Sequence, residues 1–535
     1  MDSARAAGSG ADSHQRGARR RRAPRGHDLL RARQDGHVRP SRSRFGRAGS
    51  KGTAMRLLAM ETRSRALACQ VALAVALAAG AEQSSALAQS GRCELTWVEA
   101  IEQALEANQA LVAARQSLDA QHKDVAIARS KMLPAIGVGS QAQISEGPTF
   151  SSTIGLIPER TINAAATLSW TLYDHADIDA LGSQKHLYES QRQSYEVNRL
   201  NTTASAAQSY LNLLLQQALV LVQELNLDLT GESLEVTSAQ EAAGAVPYRE
   251  VLRWESQRFA DRQSIATQQG DLLASRFALN QVRNRPAEEV CTLEEVTVDE
   301  HGFLFSSEAV TDAIADESKA AIARDYLVEL GLAQSPTLRG LDAQIRAEWR
   351  QMKSTRRWMI PSFTGGAGGA AFLLTAGEGA DQQPAGNIFW RMGLQLDWSI
   401  LDGGYYIASM NQAKAQFGSL QWQRDFKASA LEQDIRGTAA KAMASFAVIA
   451  LAEQRVQTAK KNYQLVNEAY LDGAAMFLEL IDSQQSLLAA SIAARQALYQ
   501  FLSDLVTLEQ SMAYYPFFEP HSDARVRELE ATLRQ

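Results

Sequence analysis

Two acidic residues have a spacing that could serve chemistry, because they follow a glycine turn at the start of a predicted helix. Glu479 and Asp482 come after Gly473-Ala474-Ala475 and are three residues apart, so they lie on one face of that helix. Clustered carboxylates bind hard cations. A single pair is also typical of a solvated helix face, so the elements that position the two acids decide between these interpretations.

No arrangement of residues predicts an enzyme. No phosphate-binding glycine loop, paired cysteine motif or Ser/His/Asp arrangement occurs in the sequence. The glycine run 365–369 lies in a predicted strand with no helix behind it. We therefore expect neither catalysis nor a cofactor or resident metal. The histidines beyond the first ninety residues are scattered, at His122, His175, His186, His301 and His521.

The N-terminal 88 residues predict targeting and not fold. Residues 1–54 are rich in Arg, Gly and Ser and show no apolar period, so we interpret them as an untranslated or disordered basic extension, with a nucleic-acid-binding arm as the alternative. Residues 55–88 combine a basic start, a short apolar stretch and the small residues Ala86-Leu87-Ala88, which together predict a signal peptide. Translation would start at Met55 or Met60, and the mature chain near Gln89.

The charge of the mature chain argues against nucleic acid as a partner. The net charge of the whole chain is −6. Because the first 88 residues carry eleven net positive charges, the remainder carries −17. Such a body would repel phosphates. No uninterrupted apolar stretch reaches the length of about 18 residues that a membrane-spanning helix requires.

Cys93 and Cys291 are the only cysteines of the predicted mature chain. In an exported protein they could form a disulfide, or they could be two buried thiols. The sequence alone leaves both interpretations open.

The mature chain contains an internal duplication at an offset of about 228 residues. KMLPAIGVG around Pro134 matches WMIPSFTGG around Pro361, and LSWTLYD from Leu168 matches LDWSILD from Leu396. The turns at Gly244 and Gly473 match as well. Each half, 89–290 and 321–515, is therefore one unit used twice, with a linker at 291–320 and a charged tail at 516–535.

Each half contains a predicted β-hairpin, over 135–173 and 362–401. Residues 161–172 and 388–400 alternate apolar and polar side chains for twelve or more residues, with tryptophans near the ends. Soluble strands average about five or six residues, whereas a strand that spans a bilayer needs about nine to eleven. Four such strands cannot close a barrel, and open edges are not tolerated in hydrocarbon. Copies must therefore pool their strands, eight in a dimer or twelve in a trimer.

The remaining sequence predicts very long helices. Asp174 and Asp402 stand where the strand pattern stops and are candidate N-caps. From each of them a helix of about 70 residues would run to the turns near 244 and 473, and shorter helices would return beside it. The fold class is mostly α, with duplicated antiparallel coiled coils and four strands per chain.

These features together resemble the TolC family of outer-membrane efflux and type I secretion channels. The resemblance covers about residues 93–515 and is carried by the duplicated order of helix, Pro, strand, loop, strand, Asp and helix. It implies a homotrimer in the outer membrane lipid, with a shared twelve-stranded barrel and an α-helical tunnel through the periplasm. It also implies a periplasmic adaptor protein and an inner-membrane ABC or proton-driven transporter as partners.

The same resemblance implies roles for residues near the turns. Glu479 and Asp482 would form an acidic gate ring with their copies, and Tyr470 would latch the closed state to Glu250. The family's latch arginine is replaced by Ala475, so the closed state is weaker or Arg249 or Arg253 substitutes. The implied adaptor-docking tips are Gly244, Ala245, Val246, Gly473, Ala474 and Ala475.

A periplasmic or surface coiled-coil scaffold, such as an adhesin stalk, is the alternative function. It would explain the signal peptide and the long helices, but not two amphipathic hairpins. The sequence does not identify the cargo, because a tunnel wall contacts its cargo only weakly.

Overall fold

The fold is described from a computed structural model of the chain. The structure describes residues 93–151, 155–297, 317–355 and 360–515. The basic extension 1–54, the signal peptide 55–88 and the tail 516–535 lie outside the described residues, as does most of the linker 291–320.

The two repeats share a succession of two helices, two long strands and two further helices, to which the first repeat adds four three-residue strands. The first repeat contains β1 (Cys93–Leu95), α1 (Trp97–Ala107), α2 (Gln109–Ser130), β2 (Ala135–Ile144), β3 (Thr149–Ser151), β4 (Gly155–Ile157), β5 (Arg160–Tyr173), α3 (His175–Ala242), α4 (Tyr248–Val282) and β6 (Cys291–Leu293). The second contains α5 (Glu317–Gln334), α6 (Pro336–Ser354), β7 (Ser362–Ala376), β8 (Ile388–Asp397), α7 (Tyr405–Leu471) and α8 (Phe477–Ser511). The predicted long helices and four long strands are confirmed.

The four long strands form one antiparallel sheet in the order β2-β5-β7-β8. Register places Ile136 opposite Leu168, Leu168 opposite Ala367 and Ala367 opposite Met392, so one apolar row crosses all four strands. The neighbouring row, Gly137-Thr167-Gly368-Arg391, lies on the other face because side chains alternate. The sheet therefore has one apolar face, on which Met392 is 73% exposed.

The helices lie in rows that follow the strand order. Near the sheet the order is α2-α3-α6-α7, and toward the turns it is α4-α3-α8-α7. α7 thus contacts two shorter helices that follow each other along its length, α6 and α8, and α3 has such a pair on each side, α2 with α4 and α6 with α8. α7 is also the one helix in the described ranges that is apolar and long enough to cross a membrane by composition and length alone. Its packing along α6 and α8 identifies it as part of a coiled coil.

The largest buried core joins the two repeats about midway along the long helices. Side chains from both repeats meet there, and the Tyr210 hydroxyl lies 2.9 Å from the Leu95 carbonyl and 2.8 Å from the Glu294 carbonyl. Burial of this hydroxyl raises its pKa above its ordinary value. The largest fully buried members include Trp97, Ile101, Tyr210, Leu211, Leu279, Leu327 and Phe501.

Three details differ from the sequence-based expectations. Between its two long strands, the predicted hairpin 135–173 also contains the short hairpin β3–β4. The predicted linker begins as strand β6, which pairs in parallel with β1, and it ends inside α5. Asp174 caps α3 as predicted, but α7 starts three residues after Asp402. Gly404 is the N-cap there, and its φ of 90° is a left-handed conformation that glycine adopts readily. Asp402 accepts hydrogen bonds from the Gly404 and Tyr406 N–H groups.

Candidate functional site at the helical turns

Both long helices end in the same glycine turn. The backbone N–H of Ala245 donates to the Gln240 carbonyl, and that of Ala474 to the Ala469 carbonyl, while Gly244 and Gly473 have φ of 78° and 70°. This is the Schellman motif, in which a left-handed glycine follows the last helical residues and satisfies their carbonyls. The predicted tip residues Gly244, Ala245, Gly473 and Ala474 are exposed, and Val246 and Ala475 are half-buried.

The first acidic residue of the candidate gate also forms a capping hydrogen bond at the start of its helix. Glu479 is exposed in the first turn of α8, and its carboxylate accepts a hydrogen bond from the Met476 N–H at 3.3 Å. In the first repeat the matching acid is Glu250, and the residue that corresponds to Met476 is Pro247, which has no N–H. Glu250 therefore cannot make this bond. Two equivalent acids have different local partners.

Asp482 lies one helical turn beyond Glu479 and is exposed. Within the described ranges no hydrogen bond or ion pair to Asp482 is found, so its carboxylate faces solvent in the single chain. The structure thus brings Glu479 and Asp482 together on one face of α8. One chain contributes one such pair to an assembly.

Within the single chain the Tyr470 hydroxyl bonds to Thr237 and not to Glu250, and the latch between Tyr470 and Glu250 stays a prediction for the assembled protein. The Tyr470 side chain is 6% exposed, and its hydroxyl lies 3.2 Å from the Thr237 hydroxyl on α3. One helical heptad earlier, Tyr463 makes a hydrogen bond with Ser233, also on α3, and burial raises the pKa of Tyr463. Burial of a phenol requires a nearby polar partner, and the α3 hydroxyls supply it where Glu250 does not. Two tyrosines of α7 thus reach the first repeat.

An aromatic cluster holds the two repeats together beside the turns. Trp254 and Leu480 are fully buried, and the rings of Trp254 and Phe477 meet edge to face with centroids 5.1 Å apart. The Arg253 guanidinium lies 5.4 Å from the centre of the Phe477 ring. Arg253 therefore makes a contact between repeats close to Ala475, although it is exposed, as Arg249 is. We call Trp254, Tyr470, Phe477 and Leu480 the tip cluster.

A buried polar network lies farther from the turns and was not anticipated. The Thr230 hydroxyl donates to Asp261 at 2.6 Å, and Gln257 donates to the other carboxylate oxygen at 2.8 Å. Gln484 of α8 donates to Thr230 and to the Asn226 side chain, at 2.8 and 3.1 Å. The sequence signal that could have predicted this network is the presence of polar residues at helix positions that face the core. Because buried polar groups need specific partners, the network fixes the register of α8 against α3 and α4.

Cys93 and Cys291 form a disulfide that joins β1 to β6. The fully buried Arg283 lies beside it and donates twice to the Gln103 side-chain oxygen, at 3.0 and 2.7 Å. Burial lowers the pKa of Arg283, and the nearby Glu289 carboxylate opposes that change. Cys93, Cys291 and Glu289 are also the one group in the described ranges with metal-ligand spacing. Because both sulfur atoms are bonded to each other, they are not available as ligands.

A second charged group lies at the α3–α6 contact near the sheet. Asp179 is buried, with His175 at 3.1 Å and Arg350 at 3.4 Å. About two turns along α3 from Asp179, the pKa of His186 is lowered by burial and by the positive charges of Arg346 and Arg350. These groups join the repeats at the opposite end of the helices from the tip cluster.

Comparison with known proteins agrees with this architecture. The family model described as "Outer membrane efflux protein" matches residues 100–285 and 327–513, two stretches that begin 227 residues apart. Nodulation protein T of Rhizobium leguminosarum bv. trifolii is 22% identical over 393 residues, which cover 72% of this chain and 79% of that protein.

Solved outer-membrane channels have a similar fold. The channel OprN matches with a TM-score of 0.62 and 18% identity, covering 79% of this chain and 93% of that chain. The outer membrane protein VceC from Vibrio cholerae matches with a TM-score of 0.62 and 16% identity, covering 78% and 96%. At these identities the likeness concerns the fold.

The chain belongs to the outer membrane efflux protein family. It is a passive channel protein of the outer membrane whose helices extend into the periplasm, and not an enzyme. This finding confirms the resemblance drawn from the duplicated sequence and favours a channel over the scaffold alternative.

Proposed function

We propose that three copies of this chain form the exit duct of a tripartite efflux or type I secretion system, gated at the helical turns. The observation that carries the proposal is the open sheet. β2 and β8 each pair on one side only in the described part of the chain, while the apolar face of the sheet is exposed. Unpaired strand edges are not tolerated in hydrocarbon, so neighbouring copies complete the wall.

The number of copies follows from strand count and family together. Three sets of four strands make a twelve-stranded barrel, which the family resemblance implies, whereas two sets would make eight. Closure by a head-to-tail contact requires a rotation that returns to the first copy. A trimer meets this requirement with twelve strands.

The gate is assigned to the face of α8 that carries Glu479 and Asp482. Three copies would direct six carboxylates toward one axis, where they attract cations and repel one another. Tyr470 and Thr237, with the tip cluster, would hold the closed arrangement, and Arg253 would act in place of the arginine that Ala475 replaces. Opening then requires breaking contacts between the two repeats.

The exposed turns are assigned to a periplasmic adaptor protein, which would connect the duct to an inner-membrane ABC or proton-driven transporter. Tyr248 and Met476 beside the turns are 58% and 67% exposed, so each turn offers apolar surface to a partner. In this proposal the transporter supplies the energy for export.

The mass of the protein extracted from outer membranes in detergent tests the assembly. We expect three copies per particle, measured by native mass spectrometry after detergent release. A particle of one copy, from material that retains its helical circular dichroism, would contradict the proposal.

A further inference from the structure

The polar face of the sheet changes in character along its length. In the half nearer the helices it carries glycines, among them Gly137, Gly366 and Gly368. At the other end the same face carries the rings of Phe372 and Phe389, whose centroids lie 5.9 Å apart. In the proposed ring of copies this face lines the duct, so the bulkiest side chains of the lining lie at one end.

The connections of the strands identify that end as the cell-surface mouth of the duct. β2 follows α2 and β8 leads to α7, so the helices join the sheet at Ala135 and Asp397. The opposite end carries the two connections between long strands, 145–159 and 377–387. Because the helices extend into the periplasm, these two connections lie at the cell surface.

A further segment of chain covers the polar face at this mouth. Phe372 is fully buried, and Ala370 and Thr161 on the same face are 7% and 3% exposed. On the apolar face at a similar height, Leu374 and Ile388 are 49% and 75% exposed. Full burial on one face of a single sheet requires another segment over that face. The cover therefore lies on the side that lines the duct.

The two connections at the mouth pack against each other. The Glu159 N–H donates to the Glu378 carbonyl at 3.1 Å. A Cβ atom on Gly379 would lie 3.2 Å from the Pro148 side chain and 3.3 Å from that of Leu156, so the second connection directly contacts both sides of the β3–β4 hairpin. The connections thus form one structure, which we call the mouth cap and define as residues 147–151, 155–158 and 377–387.

Phe372 joins the mouth cap to the wall of the sheet. Its N–H donates to the Asn387 carbonyl at 3.1 Å, and its carbonyl accepts a hydrogen bond from the Gly386 N–H at 2.7 Å. The last residues of the cap are therefore bonded to the backbone that carries the buried ring. Burial of an aromatic ring is favourable because its apolar surface leaves water, so the ring favours the arrangement in which the cap covers the polar face.

We propose that Phe372 anchors the mouth cap over the inner side of the barrel, and that the cap narrows the duct at the cell surface. This proposal rests on the proposed function, which places the polar face around the axis of a ring. Three caps would enter one mouth, above a lumen that the glycines widen. The class of cargo that suits such a mouth is a small solute, because a polypeptide would have to displace the caps.

Labelling of a cysteine below the cap on intact cells tests the narrowing. Thr167→Cys places a thiol on the polar face among the glycines, where Thr167 is exposed. A small membrane-impermeant maleimide added outside the cells should react with it, whereas a maleimide that carries a long polyethylene glycol chain should react at least tenfold more slowly. Asp381→Cys, exposed in the cap itself, is the control and should react with both reagents at similar rates. The two native cysteines are bonded to each other and do not react.

A second variant releases the anchor. Phe372→Ser added to Thr167→Cys should raise the rate of the large reagent to near that of the small one. Ile388→Ser, at a similar height on the apolar face, is the matched control and should leave the large reagent slow. If Phe372→Ser does not reach the outer membrane, the comparison of the two reagents with the cap unchanged still decides.

Three results would overturn the mouth cap. These are equal rates of both reagents at Thr167→Cys with the cap unchanged, a large reagent that stays slow in trimeric Phe372→Ser protein, and no reaction with the small reagent. If native mass spectrometry still gives three copies, the proposed function stands without the cap. Particles of one copy would contradict the proposed function itself.

Discussion

Glu250 and Glu479 show how one substitution separates two equivalent residues. Both acids stand at the third position of a helix that returns from a glycine turn. The Met476 N–H donates a hydrogen bond to the Glu479 carboxylate, whereas Pro247 has no N–H to donate to Glu250. The carboxylate of Glu479 is thereby held close to the turn, together with the exposed Asp482.

Replacing both gate acids should remove block by cations. In single-channel recordings, Glu479→Ala with Asp482→Ala should raise the Ca²⁺ or trivalent-ion concentration for half block by about tenfold, or roughly 1.4 kcal/mol of lost binding. Glu453→Ala, an exposed acid of α7 away from the turn, is the control and should leave block unchanged. Unaltered block in the double variant would remove these acids from the gate.

The buried tyrosine hydroxyl should favour the closed state. Tyr470→Phe removes its hydrogen bond to Thr237, which is worth about 1 kcal/mol, or roughly a fivefold rise in the open population. Current through the otherwise closed channel measures this change. Glu250→Gln should have little effect on the current. A larger rise in current for Glu250→Gln than for Tyr470→Phe would support the Tyr470–Glu250 latch instead.

At the scale of elements, the sequence predicted the strands that show a regular alternation of side chains and the turns that contain glycine. Alternation located β5 and β8, and Gly244 and Gly473 located the turns, because both signals are local. The three-residue strands β3, β4 and β6 are too short to show a period of two. Thr237 and Tyr470 are 233 residues apart, and no local pattern pairs them. The start of α7 was misplaced because two glycines follow Asp402.

The disulfide between β1 and β6 should stabilise the start of the first repeat. It closes a loop of 198 residues, and loss of such a cross-link costs about 2–4 kcal/mol through the greater entropy of the unfolded chain. Cys93→Ser with Cys291→Ser should therefore lower the melting temperature. Dithiothreitol should lower it in the wild type but not in the variant; equal sensitivity of both would show that the cysteines are not bonded.

His186 should make the α3–α6 contact sensitive to acid. Its pKa is lowered from 6.5, so below about pH 6.5 the unfolded chain binds a proton that the folded chain resists. Stability should be constant above that pH and fall as the pH drops toward the lower folded pKa. Thermal melts between pH 5 and pH 8 should show a smaller loss for His186→Gln, whereas His175→Gln should keep the slope near pH 6.

At the scale of the whole molecule, the duplication gives an open sheet and open rows of helices, which one chain cannot close into a barrel. The four strands and the two rows of four helices share one order, and the sheet and each row end with one edge in the first repeat and one in the second. The acidic body disfavours nucleic acid, and the apolar sheet face favours lipid. The sequence alone left the choice between dimer and trimer open, because four strands per chain can close a barrel of eight strands or of twelve.

Conductance across a planar lipid bilayer tests the central claim most directly. Purified wild-type protein should insert and give discrete current steps that added divalent or trivalent cations suppress from the side of the turns. The Glu479→Ala and Asp482→Ala double variant should give steps that persist. Folded protein that enters the bilayer and gives no current steps in either form would contradict a transmembrane duct built from these strands.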